Sequence, residues 1–230
     1  MISSLRRRLV TLGAMVALVV ASSPAATAGP ARDTAAPLRV MPLGDSITYG
    51  IGSRTLDGYR AILRAELAAV GVDVDYVGSL RSGTGPDPDN EGHKGWTIEQ
   101  LSEHVDDWLT TYRPDVILLH IGTNDMVRRV PDAPLHLDRL LDRIAAARPE
   151  AEVYVAQIVG IADRQEVGTR MRRTADYNAW VAQIVAARGE RFHLVDQSDV
   201  RGPEDMKNRD HPNDQGYAEM AANWLAAMTA

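Results

Sequence analysis

Three short segments concentrate the residue types that could do chemistry: Gly44-Asp45-Ser46-Ile47-Thr48, Gly122-Thr123-Asn124-Asp125 and Asp210-His211-Pro212-Asn213. They supply a serine, a side-chain amide and a histidine. These are the nucleophile, oxyanion donor and general base of a serine hydrolase. Gly44 permits a tight strand-to-helix turn, from which Ser46 can project its hydroxyl while its own N–H points into the same space. Asp45 reads as a structural hydrogen-bonding residue. Asn124 follows the strand expected to be most buried, Val116–Ile121, and its amide can donate two hydrogen bonds. Gly95, in Gly92-His93-Lys94-Gly95-Trp96-Thr97, lets the backbone approach a ligand and offers another N–H. His211 stands just before Pro212 and Asn213, which read as the start of the last helix, so its imidazole is mounted on a braced loop.

Each residue also has an ordinary structural explanation: an N-cap serine, an Asx turn, a turn glycine, a surface-loop histidine. Their occurrence together is harder to explain that way. His93 and the remaining histidines carry no comparable context. His93 is expected to be solvent-exposed and His120 to be core. The acid cluster Asp87-Pro88-Asp89-Asn90-Glu91 lacks the alternating carboxylates and glycine of a calcium loop and reads as solvated.

The elements that must position these residues alternate regularly. Leu38–Leu43, Val116–Ile121, Val153–Val159 and Phe192–Val195, with Val72–Gly78, whose alternation of apolar and acidic residues suits an edge strand, give five candidate strands. Helical periodicity links Tyr59 to Val70, Ile98 to Tyr112, Leu137 to Ala145, Trp180 to Val185 and Tyr217 to Met228. The aromatic and Met positions of these stripes are expected to face the core. Such alternation predicts an α/β protein, a three-layer α/β/α sandwich with a five-stranded parallel sheet. In the order 2-1-3-4-5, Ser46 and Asn124 flank the point where strand order reverses, where ligands bind.

Bulk properties narrow the function. Arg6, Arg7 and Arg8, the apolar run Leu9 to Ala21 and the small residues Ala26-Thr27-Ala28 read as a secretory signal peptide over residues 1–28. The arginines leave open whether export uses the general or the twin-arginine route. Residues 29–37 read as a flexible lead-in and 38–230 as a single domain. The net charge of −6 becomes −9 once the three arginines of residues 1–28 are set aside. An acidic chain without basic clusters argues against nucleic acid or a stable membrane association. A secreted monomer is expected. The chain contains no cysteine, which excludes thiol catalysis and thiolate metal sites.

Taken together, the segments resemble the SGNH hydrolases, the GDSL esterase/lipase superfamily, whose name-giving residues correspond to Ser46, Gly95, Asn124 and His211. Within it, Gly44-Asp45-Ser46-Ile47-Thr48, Asp57-Gly58-Tyr59-Arg60, Glu91-Gly92-His93-Lys94-Gly95-Trp96 and His211-Pro212-Asn213-Asp214 look like carbohydrate esterase family 3, which contains secreted acetylxylan esterases. The resemblance implies a flavodoxin-like fold and hydrolysis of a small ester or acetylated polysaccharide with no metal or organic cofactor. Ser46 would attack, His211 would act as base, and the Ser46 N–H, Gly95 N–H and Asn124 side chain would hold the oxyanion. One departure stands out. The family places an aspartate three residues before the histidine, and here that residue is Asn208. Three outcomes stay open. Asp205 or Asp210 takes over, a backbone carbonyl orients His211 and leaves a Ser-His dyad, or activity is weak or lapsed. The alternatives to a deacetylase are a lipid esterase or lysophospholipase, and a non-catalytic carbohydrate-binding protein. The polar Arg81–Lys94 loop favours short acyl groups.

Overall fold

The computed structural model describes residues 36–160 and 169–230. The expected signal peptide, and all but the last two residues of the lead-in, lie outside the described residues.

The described chain opens on β1 (Leu38–Gly44), followed by α1 (Ser46–Tyr49) and α2 (Arg60–Ala69). Three short strands come next: β2 (Val74–Tyr76), β3 (Leu80–Arg81) and β4 (Asp89–Gly92). Then follow α3 (Ile98–Tyr112), β5 (Val116–His120), α4 (Thr123–Arg128), α5 (Ala133–Ala147), β6 (Glu152–Ala156), α6 (Thr169–Ala186), β7 (Phe192–Val195) and α7 (Asp214–Met228).

β1 lies beside β5, β5 beside β6, and β6 beside β7, all parallel. On its other side β1 has two parallel neighbours. β2 pairs with Leu38–Val40 and β4 with Leu43–Gly44. β3 adds to β4 in antiparallel sense. The sheet therefore has seven strands rather than five. The extra two come from the segment read as a polar loop. β2 covers only the lower half of β1, and β4 fills the edge it leaves open.

Side chains along the central strands alternate between two cores, as a period-two element requires. Met41, Leu43, Ile117, Leu119, Val153 and Val155 face α3, α5 and α6. Val40, Val116, Leu118, Tyr154 and Ala156 face α2 and α7. The outcome is a sheet that is parallel except for β3, with helices on both faces. The acid cluster is a second correction, because Asn90 and Glu91 are fully buried. Their polar groups are satisfied locally: Asn90 Nδ2 donates to Ser82 Oγ and Pro88 O, and Glu91 accepts from Ser79. Trp180 is a third. It is 51% exposed, while its neighbours Val181 and Val185 are buried. Among the described residues, no helix is long and apolar enough to cross a membrane.

Candidate active site

Strand register brings the separate segments to one level. Gly44 of β1 is paired with Gly92 of β4 on one side and with His120 of β5 on the other. Ser46, Gly95 and Asn124 lie two to four residues beyond that shared rung, at the carboxyl ends of parallel strands where such sheets bind ligands.

Gly44 cannot be replaced without moving backbone, since a Cβ there would sit 2.2 Å from the His120 carbonyl oxygen. The turn it permits delivers Asp45 as N-cap of α1, its Oδ1 accepting from Ile47 N–H at 2.9 Å. Ser46 is then the first helical residue, where a backbone N–H has no intrahelical acceptor. Two buried side chains brace the short helix. Tyr217 of α7 donates its hydroxyl to the Ile47 and Ile51 carbonyls. Arg60 of α2 donates to the carbonyls of Thr48, Tyr49, Leu56, Ser82 and Pro88 and to Ser82 Oγ.

The segment carrying His211 is a closed loop. Asn213 N–H donates to Asp205 O at 2.7 Å and Lys207 N–H to His211 O at 2.9 Å, so Asn208, Arg209 and Asp210 form its tip. This fold-back sets His211 Nε2 2.8 Å from Ser46 Oγ. On the other side of the ring, His211 Nδ1 lies 3.1 Å from Asn208 Oδ1. The structure thus joins Ser46, His211 and Asn208 in one hydrogen-bonded chain. Asp205 and Asp210 are engaged elsewhere. The Asp205 carboxylate accepts from Gly202 N–H and Gln215 Nε2, and Asp210 pairs with Arg209. Burial pushes the His211 imidazole below its ordinary pKa, and the charge of Asp210 partly opposes this.

Asn124, in the first turn of α4, donates its Nδ2 to the Trp96 carbonyl at 3.0 Å and to Asp45 Oδ2 at 3.3 Å. One turn later, Arg128 donates to the Gly95 carbonyl at 2.6 Å. Helix α4 therefore grips both carbonyls after the Gly95 N–H. Trp96 N–H donates to His93 O at 3.1 Å, and Gly95 has φ +80°. This is a type II turn with glycine at its third position. Its central peptide carries the Gly95 N–H. His93 is not exposed as expected. Its ring is stacked on Trp96 and Trp108, at centroid distances of 4.2 and 4.6 Å, and bonds to the buried Glu91 carboxylate at 2.7 Å.

Two buried acids, Asp45 and Asp125, lie beside Asn124. Burial raises Asp45 to about 7 against the lowering hydrogen bond from Ile47 N–H, and Asp125 to about 6 against that from Ile98 N–H. Asp125 sits at the N-terminus of α3 and accepts from Ile98 N–H there. His120 is fully buried, and burial lowers it to about 4, so it is neutral near pH 7. Among the described residues, no cluster of three His, Asp or Glu could hold a metal ion. Arg60, Glu91, Arg128 and Tyr217 carry no functional assignment in the sequence reading. Arg60 and Glu91 had a signal, their places in Asp57-Gly58-Tyr59-Arg60 and Glu91-Gly92-His93-Lys94-Gly95-Trp96.

A hydroxyl within hydrogen-bond reach of an imidazole, beside an amide and helix-start N–H groups, is suited to acyl transfer. Comparison with known proteins agrees. Residues 43–219 match the GDSL-like lipase/acylhydrolase family. A solved family 3 carbohydrate esterase from Clostridium thermocellum is 32% identical, with a TM-score of 0.74, covering 84% of this chain and 96% of that one. A family 3 carbohydrate esterase from Talaromyces cellulolyticus, 23% identical over the same shares with a TM-score of 0.71, shares the fold. A multidomain esterase of Ruminococcus flavefaciens is 27% identical over an alignment that covers 95% of this chain but 32% of that protein. The chain thus spans about a third of the length of that curated relative.

Proposed function

The chain belongs to the GDSL-like lipase/acylhydrolase family and is a carboxylic ester hydrolase, and on that premise we propose that it is an exported serine esterase removing short acyl groups, acetyl above all, from plant polysaccharide such as xylan. The observation that carries the mechanism is the 2.8 Å contact between Ser46 Oγ and His211 Nε2. Ser46 Oγ attacks the acyl carbonyl as His211 Nε2 takes its proton. The oxyanion forms against the Ser46 N–H, the Gly95 N–H and the Asn124 amide. Of the two resting hydrogen bonds of Asn124 Nδ2, the longer one, to Asp45, is the one an oxyanion displaces. Collapse breaks the ester C–O bond, and His211 returns its proton to the leaving alcohol. Water, deprotonated by His211, then attacks the acyl-Ser46 carbonyl; the acyl–Oγ bond breaks, His211 returns the proton to Ser46 Oγ, and the acid leaves.

The polysaccharide substrate is supported by likeness to the family 3 carbohydrate esterase. Export is supported by the arginines, apolar run and small residues before Gly29, and predicts a mature protein beginning near Gly29. A chain-length series of p-nitrophenyl esters, together with acetate release from acetylated xylan, tests the substrate. The expected result is a maximum at acetate and release from the polymer. A maximum at long acyl chains with no release would move the chain to lipid esters.

A further inference from the structure

Trp180 is the aromatic residue the helical pattern places in the core and the fold leaves half in solvent. It lies in an open groove of about 840 Å³ between α5 and α6, which is built from none of the residues of the Ser46 site. Leu135 is the other large apolar side chain exposed there, at 47%. Around them stand Asp138, Asp142, Gln183 and Arg188. Arg188 is itself mostly covered. It bonds the Asp138 carboxylate at 2.5 Å, the Asp138 carbonyl at 2.7 Å and Asp142 at 3.0 Å, with its guanidinium over the Phe192 ring. It thereby holds one oxygen of each carboxylate and leaves the other to accept from a ligand.

We propose that this groove is a second glycan-binding site, in which Trp180 stacks on the C–H face of a neutral sugar and the fixed carboxylates and Gln183 bind its hydroxyls. The inference rests on the reading of the chain as a polysaccharide esterase. Three physical points select the occupant. An exposed indole face is flat and apolar, with polar groups around it, which suits a pyranose ring. The groove's carboxylates outnumber its single arginine, which disfavours nucleic acid and anionic bilayers. The ten residues that line the groove fall short of the roughly 20 residues a side of a stable protein interface. Gripping the polymer at a second point raises its effective concentration at Ser46 without touching the chemistry.

The test is affinity electrophoresis of wild type, Trp180→Ala and Trp180→Phe in gels with and without water-soluble xylan. It is paired with rates on p-nitrophenyl acetate and on sub-saturating acetylated xylan. Wild type should be retarded by xylan, Trp180→Ala should not, and Trp180→Phe should fall between. Trp180→Ala should lower the rate on acetylated xylan by about threefold to tenfold, the worth of one aromatic contact, and leave p-nitrophenyl acetate unchanged. No retardation of wild type, or equal retardation of Trp180→Ala, overturns the proposal. So does a change confined to sedimentation, which would make the face a contact between copies. Failure of the substrate reading looks different: wild type then cleaves p-nitrophenyl acetate but releases no acetate from xylan.

Discussion

Asn208 Oδ1 faces His211 Nδ1 at 3.1 Å, and the same oxygen accepts from the backbone N–H groups of Asp210 at 2.9 Å and His211 at 3.0 Å. Those two donors decide which end of the amide meets the ring. Turning the amide would set its NH₂ against two N–H groups. With oxygen facing Nδ1, the proton must sit on Nδ1, which leaves the Nε2 lone pair for the Ser46 hydroxyl. An asparagine in this loop thus performs half of the work of the aspartate that family resemblance led one to expect. It fixes tautomer and orientation, but it gives no charge to stabilise an imidazolium.

Asn208→Asp should supply that missing half. The expected result is a rise in kcat of about tenfold, within the range general-base tuning spans. The acid limb of the pH profile should move to higher pH, because a carboxylate beside the ring favours its protonated form. Asn208→Leu, which cannot accept from Nδ1, should lower kcat by about 10² or more. Steady-state rates on p-nitrophenyl acetate decide, and unchanged rates in both variants would remove Asn208 from the mechanism.

His211 acts as a base only when neutral. Burial lowers its pKa from the ordinary 6.5, so kcat/KM should fall with acidification through a midpoint below that value and stay level above it. Asp210 opposes the shift. Asp210→Asn should therefore move the midpoint lower still. A pH–rate series checks both. A wild-type midpoint above 6.5 would contradict the burial argument.

Gly95→Ala separates conformation from bulk. A Cβ at Gly95 meets nothing closer than Arg128 Nη2 at 3.5 Å, an ordinary contact. The obstacle is φ +80°, which alanine resists. The turn should change type, rotate its central peptide and carry the Gly95 N–H away from the oxyanion. The expected loss is about 10²–10³ in kcat, the worth of one oxyanion donor, with KM little changed. A change confined to KM would place Gly95 outside the oxyanion site.

Arg60 is a stability prediction. Its fully buried guanidinium serves carbonyls from the Ser46 segment and from the β3–β4 region, and Arg60→Met would orphan them. Urea denaturation should show a loss of at least about 3 kcal/mol, as expected when one partner leaves a buried polar network. A loss under about 1 kcal/mol would mean that water replaces the side chain.

The sequence was legible where periodicity and turn chemistry coincide. The β1 turn at Gly44, the start of the last helix at Asn213 and the alternation of strands and helices were all readable from residue type. β3 and β4 were not, because a strand buried on hydrogen-bonded polar residues such as Asn90 and Glu91 has no apolar signal. Trp180 misled in the opposite direction. It sits at the edge of a stripe whose next residue, Val181, is buried, and a 3.6-residue period does not resolve one position at that edge. His93 needed Trp96 and Trp108 placed in space before its burial could be seen. The orientation of His211 depended on a loop closed by the Asn213 and Lys207 backbone bonds, which residue spacing does not encode.

In the proposed mechanism Ser46 Oγ is the atom that forms the acyl intermediate. Incubating wild type and Ser46→Ala with a fluorophosphonate probe, alongside hydrolysis of p-nitrophenyl acetate, tests this most directly. The probe should label wild type at Ser46 and leave Ser46→Ala unlabelled, with hydrolysis by the variant lost by a factor of about 10³ or more. Equal hydrolysis by the two proteins, or labelling of Ser46→Ala, would contradict it.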